Sequence, residues 1–323
     1  LLVATLQPAV SIERVRAAGR DVVLVRAPLR EVRPVVVWGQ GRVGKTESLG
    51  GIAQRSQALA AINGGYFDAY SNDGIADPYH TVVNNGVLQS LGSVGSVLGF
   101  DSQGRAMAER GNPKVSGTSG NQSFYLYRAN HTPGANVAAR YGPEWGPKVG
   151  YQGVYARVGA DGKVIDVSSG DPAIPAGGSV YFFRGSDASL ARRFSVGADV
   201  RLSLNYQGVR DAAFWRSAQT VIGCGPLLVR GGETVVDAAG EGFTSSRVAG
   251  SGARSAIGVN ARGEILLVAT SGTFSQLGAV MKALGCTEAI GLDGGASSGL
   301  WARGQSLRRE GRGLSHAVVL VTR

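Results

Sequence analysis

The residues best suited to chemistry in this sequence are Asp293-Gly294-Gly295-Ala296-Ser297-Ser298, which come directly after the apolar run Ala289-Ile290-Gly291-Leu292. A buried strand of this kind delivers one carboxylate to its tip. The glycine pair then allows a positive-φ turn and close approach of a ligand to the backbone. Ser297 and Ser298 add hydroxyls at the same rim. One fixed acid beside exposed N–H groups and small polar side chains is how a site is assembled. An Asp-Gly hairpin turn is the plainer reading, but a hairpin needs one glycine and no serine pair, so the pattern favours a site. A second stretch has the same form. Ala58 to Ile62 ends in Asn63-Gly64-Gly65-Tyr66-Phe67-Asp68: an apolar strand, a polar residue, two glycines, then side chains able to face a ligand, with Phe67 read as core. His80 is a further candidate ligand or catalytic group, although an isolated histidine more often has a structural role.

A third pattern is a trap. Gly39-Gln40-Gly41-Arg42-Val43-Gly44-Lys45-Thr46 fits the phosphate-cradling G-x-x-x-x-G-K-T loop, after a strand and before an expected helix over Thr46 to Ala60. Gly50 and Gly51 weaken that helix, and the chain beyond it reads as short strands and turns rather than alternating strands and helices. In a chain with 50 glycines the match comes cheaply, and Thr46 serves equally well as a helix N-cap.

Composition and pattern define the elements that must hold these residues. The chain has 323 residues, 43% hydrophobic and only 17% charged, without a Gly-X-Y period; it reads as a turn-dense, β-rich globule with a substantial core. Valine-rich strands are expected over Asp21 to Ala27 and Val32 to Trp38, and Ser11 to Arg20 reads as one or two amphipathic helical turns. Asn84-Asn85-Gly86, Asp161-Gly162 and Gly231-Gly232 mark hairpins. Ser186 to Arg193 reads as a short helix and Ser275 to Leu284 as a full one leading into the Asp293 strand. No linker interrupts residues 21–323, so the expected organisation is an N-terminal lead segment over 1–20 and a single domain over 21–323. The opening Leu1-Leu2-Val3-Ala4, without a methionine, suggests that a leader or a larger N-terminal part has been removed. Cys224 and Cys286 are too few for a disulfide scaffold; they form one bridge or stay as two buried thiols, depending on whether the fold brings them together. The net charge of +10 comes from scattered arginines with no basic run interleaved with aromatics. That argues against nucleic acid and suits anionic polymers or phosphorylated sugars. No apolar run is long enough for a transmembrane helix.

Taken in order, five segments resemble the phosphodiester glycosidase family, in its bacterial branch. They are Ala61 to Phe67, Val82 to Gly86, Ile222-Gly223-Cys224-Gly225-Pro226-Leu227-Leu228-Val229, Ala253-Arg254-Ser255-Ala256-Ile257-Gly258-Val259, and Ala289 to Ser298. The likeness covers most of residues 45–323. Two departures stand out: Ala296 where the family usually has a third glycine, and Ser271-Gly272 where it tends to have Asp-Gly.

The resemblance implies an α+β fold, a single domain of mixed, strongly twisted β-sheets with a few flanking helices and a glycine-rich cleft. It implies a hydrolase that cuts a glycosyl phosphodiester at the anomeric carbon. Arg254 would hold the phosphate as a planar fork, helped by the N–H groups of Gly225, Gly294 and Gly295. Asp293 would serve the anomeric centre as nucleophile, base or electrostatic partner. Asp68, Glu241 and Asp237, in that order, are candidates for a second carboxylate. Asn63, His80 and Ser297 would orient sugar hydroxyls, with Gly64, Tyr66 and Ser298 beside them. No cofactor is assigned, and a divalent metal stays open. The expected location is extracytoplasmic: secreted, periplasmic or in the cell envelope. The competing reading is a non-catalytic envelope module that binds phosphorylated glycans or other envelope proteins; a nucleotide hydrolase comes third.

Overall fold

The computed structural model describes residues 10–323. Residues 1–9, nearly half of the expected lead segment, lie outside the described residues. Strand content is 47% and helix only 13%, in keeping with the expected sheets flanked by few helices. The strands form five sheets. The sheets are less mixed than expected: apart from the short parallel pair Arg128–Ala129 with Val137–Tyr141, the named strands pair antiparallel.

The largest sheet has seven strands in the order Ser11–Ala17, Arg20–Pro28, Glu264–Gly272, Gly252–Asn260, Cys286–Gly291, Leu227–Arg230, Glu233–Thr234. Its first strand corrects the helical reading of Ser11 to Arg20. These residues pair one for one with Arg20 to Arg26 around a tight turn at Ala18-Gly19, both at positive φ. The mixed spacing of Ile12, Val15 and Ala17, three and then two residues apart, is compatible with either element, and sheet pairing decides it.

The central strand Gly252–Asn260 is buried continuously from Arg254 to Asn260 because both faces of its sheet are covered. On one side Ile257, Ile265, Leu267 and Ile290 join the main core. On the other, Ala256, Leu266 and Val268 pack under Leu277, Val280 and Met281 of the helix Phe274–Ala283. That helix is set by a capping box in which the Thr273 hydroxyl accepts from the Gln276 N–H and the Gln276 side chain accepts from the Thr273 N–H. It runs through Gly285, at φ +82°, into the Asp293 strand.

A five-stranded sheet, in the order Gln305–Arg308, Leu300–Ala302, Ala60–Asn63, His316–Thr322, Val32–Trp38, carries the Asn63 strand. Another brings Thr220–Cys224 between Val82–Asn84 and Ser96–Phe100. The ends of strands from these three sheets meet around the main core.

Cys224 and Cys286 are buried free thiols, which resolves the open question of a bridge. Gly225, beside Cys224, donates its N–H to the Gly291 carbonyl at 3.0 Å, and Cys286 begins the strand that ends at Gly291. The two cysteines therefore sit near opposite ends of one strand, roughly 16 Å apart at about 3.3 Å per residue, whereas a disulfide needs Cα atoms within about 7 Å.

The G-x-x-x-x-G-K-T segment forms no phosphate cradle. The helix begins at Leu49 with Ser48 as its N-cap, so neither Thr46 nor Lys45 stands at a helix start. Several of the loop's N–H groups are also spent within the protein, those of Arg42, Val43 and Lys45 on the carbonyls of Gly39, Glu144 and Arg42.

Candidate active site

Asp293 is fixed at the junction of two sheets. Its N–H donates to the Gly64 carbonyl at 3.1 Å, and its own carbonyl accepts from Asn63 Nδ2 at 2.7 Å. Asn63 Oδ1 accepts from the Gly299 N–H at 3.1 Å. One buried amide therefore clamps both ends of the loop that carries Asp293. The two glycines after it divide the work. Gly295 takes φ +58°, a conformation that favours glycine. Gly294 has an ordinary φ, but a Cβ there would stand 2.7 Å from the Ala253 carbonyl and 2.8 Å from Arg254 Nη1. Ala296 lies in a short 3₁₀ turn with no positive φ, so alanine is accommodated where the family's third glycine would stand.

The Asp293 carboxyl is partly buried, and desolvation raises it from 3.8 to about 6. Opposing that rise are, in order, the Ser297 hydroxyl, Arg312, the Gly294 N–H and Arg254. The acid is ionised at neutral pH yet close to its midpoint. It faces a cleft of about 470 Å³ shared by Tyr66, Asp68, Tyr79, Arg254, Ser297 and Arg312. A second hollow of about 430 Å³ adjoins it, sharing Asp68, Ala296 and Arg312 among its walls.

Arg254 lies almost fully buried against the Phe274 ring, 4.3 Å from its centroid. Its Nη2 donates to the carbonyls of Val248 and Gly250, while Nε is buried without a partner. The expected planar fork is thus half spent on backbone. What remains for a ligand is the charge and Nη1, held against Gly294. Burial lowers its pKa, whereas Tyr66 and Asp293 raise it. The Tyr66 hydroxyl is also buried without a partner. Burial first, then Cys224 and Asp293, pushes it far above an ordinary phenol. The rings of His80, Tyr66, Phe243 and Phe274 succeed one another at 5.6 to 5.9 Å and form the wall behind Arg254.

Of the residues expected to form the site, Tyr66, Asp68, Arg254, Asp293, Gly294, Gly295 and Ser297 line the cleft. Asp68 Oδ1 accepts from the Tyr70 N–H at 3.1 Å, which fixes its orientation. The other candidates lie elsewhere, each for a physical reason. Asn63 spends its amide on the backbone clamp. Gly64 is buried where a Cβ would meet the His316 ring at 2.1 Å. Gly225 gives its N–H to Gly291, so it has none for a phosphate. Ser298 faces inward to the Ser255 hydroxyl at 2.8 Å. His80 is fully buried with Nδ1 toward the Val94 carbonyl, and desolvation lowers it to about 4, so it stays neutral. Glu241 accepts from Ser96 and from the Leu227 N–H and braces the turn at Pro226 from below. Asp237 pairs with Arg110 at 3.1 Å.

Two residues without a signal in the local sequence pattern complete the arrangement. Arg312 lines the cleft, donates to the Tyr70 hydroxyl at 3.0 Å and pulls the Asp293 carboxyl downward. His316 accepts the Gly65 N–H at Nε2, 3.0 Å, and meets the Ser315 hydroxyl at Nδ1, 2.7 Å. Burial lowers it to about 3, so it is a neutral brace beneath the Asn63 turn. The one hint of Arg312 is its place in the basic run Arg308-Arg309-Glu310-Gly311-Arg312, downstream of Asp293. Among the described residues no group of three or more His, Cys, Asp or Glu side chains is placed to hold a metal ion, and no helix is long and apolar enough to cross a membrane.

No curated protein matches the chain. Solved structures do. A hypothetical protein from Synechocystis is 25% identical with a TM-score of 0.79, covering 97% of this chain and 62% of that one; this chain therefore spans less than two thirds of that relative. A protein from Burkholderia pseudomallei is 21% identical with a TM-score of 0.71, covering 94% and 74%. The catalytic domain of zebrafish N-acetylglucosamine-1-phosphodiester alpha-N-acetylglucosaminidase, auto-inhibited by its pro-peptide, shares the fold at 16% identity and a TM-score of 0.51, covering 99% and 85%. Residues 152–321, which include Arg254, Asp293 and Arg312, match the phosphodiester glycosidase family. With more than half of its length matched, the chain belongs to that family.

Proposed function

We propose that this protein hydrolyses a glycosyl phosphodiester at the anomeric carbon, releasing a sugar and leaving a phosphate monoester, and that it does so outside the cytoplasm. The observation that carries the reading is a partly buried Asp293, poised near neutrality, in one cleft with two arginines. The C1–O bond breaks with its electron pair left on a phosphate oxygen. Phosphate is already a good leaving group, so the step asks for little acid help. It asks instead for positive charge at the phosphate, which Arg254 and Arg312 supply. Positive charge gathers on the sugar ring, and the Asp293 carboxylate opposes it. Water adds to C1 and passes its proton to a carboxylate of the cleft, Asp68 or Asp293.

The test is turnover of methyl phosphodiesters of N-acetylglucosamine-1-phosphate and of its glucose and mannose counterparts. Wild type should release sugar, and folded Asp293→Asn should lose turnover by orders of magnitude with substrate affinity little changed. Binding of such a diester by wild type without release of sugar would replace the hydrolase with a binding module.

A further inference from the structure

A further hollow lies outside the cleft. It is a groove of about 690 Å³ where the first hairpin meets the end of strand Glu264–Gly272. Arg14, Arg16, Arg20 and Arg308 line it, with Asp21 as the one acid and Ser271 as a neutral polar neighbour. Arg14 and Arg16 are exposed and Arg20 is half-buried. Arg14 and Arg16 alternate on the strand Ser11–Ala17 and share a face about 7 Å apart, within the ~8–10 Å over which like charges still repel in physiological salt; Asp21 stands across from Arg16, and Arg20 opens the next strand opposite Ala17. Among the described residues none of these three guanidinium groups has a hydrogen-bond or ion-pair partner. Arg26, on the same hairpin, is neutralised by Glu13 at 3.2 Å and Glu264 at 3.3 Å. The hairpin thus leaves unpaired only the arginines that line the groove.

The groove is a near neighbour of the cleft. Arg254 of the cleft is the cross-strand partner of Thr270, which lines the groove. Arg308 donates to the Thr270 carbonyl at 3.0 Å and stands four residues before Arg312. We propose that the groove is a second phosphate-binding subsite, which holds a neighbouring phosphodiester of an extended polymeric substrate, a chain of sugars or polyols joined by phosphodiesters. This rests on the glycosyl phosphodiester reading of the cleft and names the class of substrate it takes. Its lining has no aromatic side chain on which a base could stack, which favours such a polymer over single-stranded nucleic acid.

The probe is a hexamer of glycerol phosphate, which has no glycosidic bond and so reports binding without turnover. Calorimetry at low salt should show wild type binding the hexamer at least tenfold more tightly than glycerol phosphate alone. R14A/R16A/R20A should lose at least tenfold of that affinity with a flatter salt dependence, and R14K/R16K/R20K, which keeps the charge, should stay within about threefold of wild type. Unchanged hexamer affinity in the alanine variant overturns the proposal, as does equally tight binding of hexathymidylate, which would make the groove a general polyanion surface. Failure of the cleft reading is separate: it shows as absence of sugar release from the small diesters, whatever the hexamer does.

Discussion

Replacing Asp293 with asparagine should stabilise the fold at neutral pH while abolishing turnover. The carboxyl stands at about 6 in the folded chain, mainly through desolvation, against 3.8 ordinarily. The unfolded chain therefore loses this proton near pH 4 and the folded chain near pH 6. Below pH 4 both hold it and the group contributes nothing. Between the two values the folded state binds more protons, so stability falls as pH rises, and above about 6 the penalty is complete. At about 1.4 kcal/mol per pH unit the full cost is roughly 3 kcal/mol. Asparagine removes the charge and keeps an acceptor for Ser297, and the attraction of Arg312 and Arg254 is already contained in the net shift, so after imperfect hydrogen bonding of the amide a gain of about 1–3 kcal/mol is expected at pH 7.5. In a chain of this size that is a rise of several degrees in Tm. Thermal or urea unfolding at pH 4.0 and 7.5 reads it directly: a gain at pH 7.5 that vanishes at pH 4.0. Equal destabilisation at both values would mean that the charge is not held against its solvation, and the description of the site would fail.

Turnover should fall on the acid side with an apparent pKa near 6, and Arg312→Ala should move that limb to higher pH, since it removes a charge that favours the carboxylate; kcat measured from pH 4.5 to 8 checks both. Gly294→Ala places a Cβ against the Ala253 carbonyl and Arg254 Nη1, so it should cost about 1–3 kcal/mol and at least tenfold in turnover. Gly295→Ala meets no atom within 4 Å and should cost only about 1 kcal/mol of backbone strain, seen as a small Tm shift. Lys45→Ala, at an exposed loop position, should leave stability and turnover unchanged, and a large loss of turnover would revive the nucleotide reading.

What the sequence made legible was local. Apolar strands ending in a polar residue and two glycines marked the Asn63 and Asp293 tips, and the hydrogen bond between those residues spans sheets that no local pattern could pair. Roles at those tips were less legible. Asn63, Gly64 and Gly225 have residue types that suit ligand contact, yet each spends its polar groups or its missing Cβ on backbone and neighbouring rings. Glu241 and His80 went the same way: burial and backbone partners decide their function, and neither shows in residue type. Arg312 and His316 were hardly legible because one arginine among several in a basic run and a histidine entering a strand carry no periodic signal. The first hairpin reads as helix because apolar residues spaced as in Ile12, Val15 and Ala17 suit a helix as well as a strand.

The central claim is that the bond broken lies between the sugar and the phosphate oxygen, at carbon. Hydrolysis of a methyl glycosyl phosphodiester in ¹⁸O-labelled water, with mass spectrometry of both products, tests it most directly. The account predicts the label on the anomeric hydroxyl of the released sugar and none in the phosphate monoester. Label in the phosphate, with unlabelled sugar, would place the attack at phosphorus and contradict it.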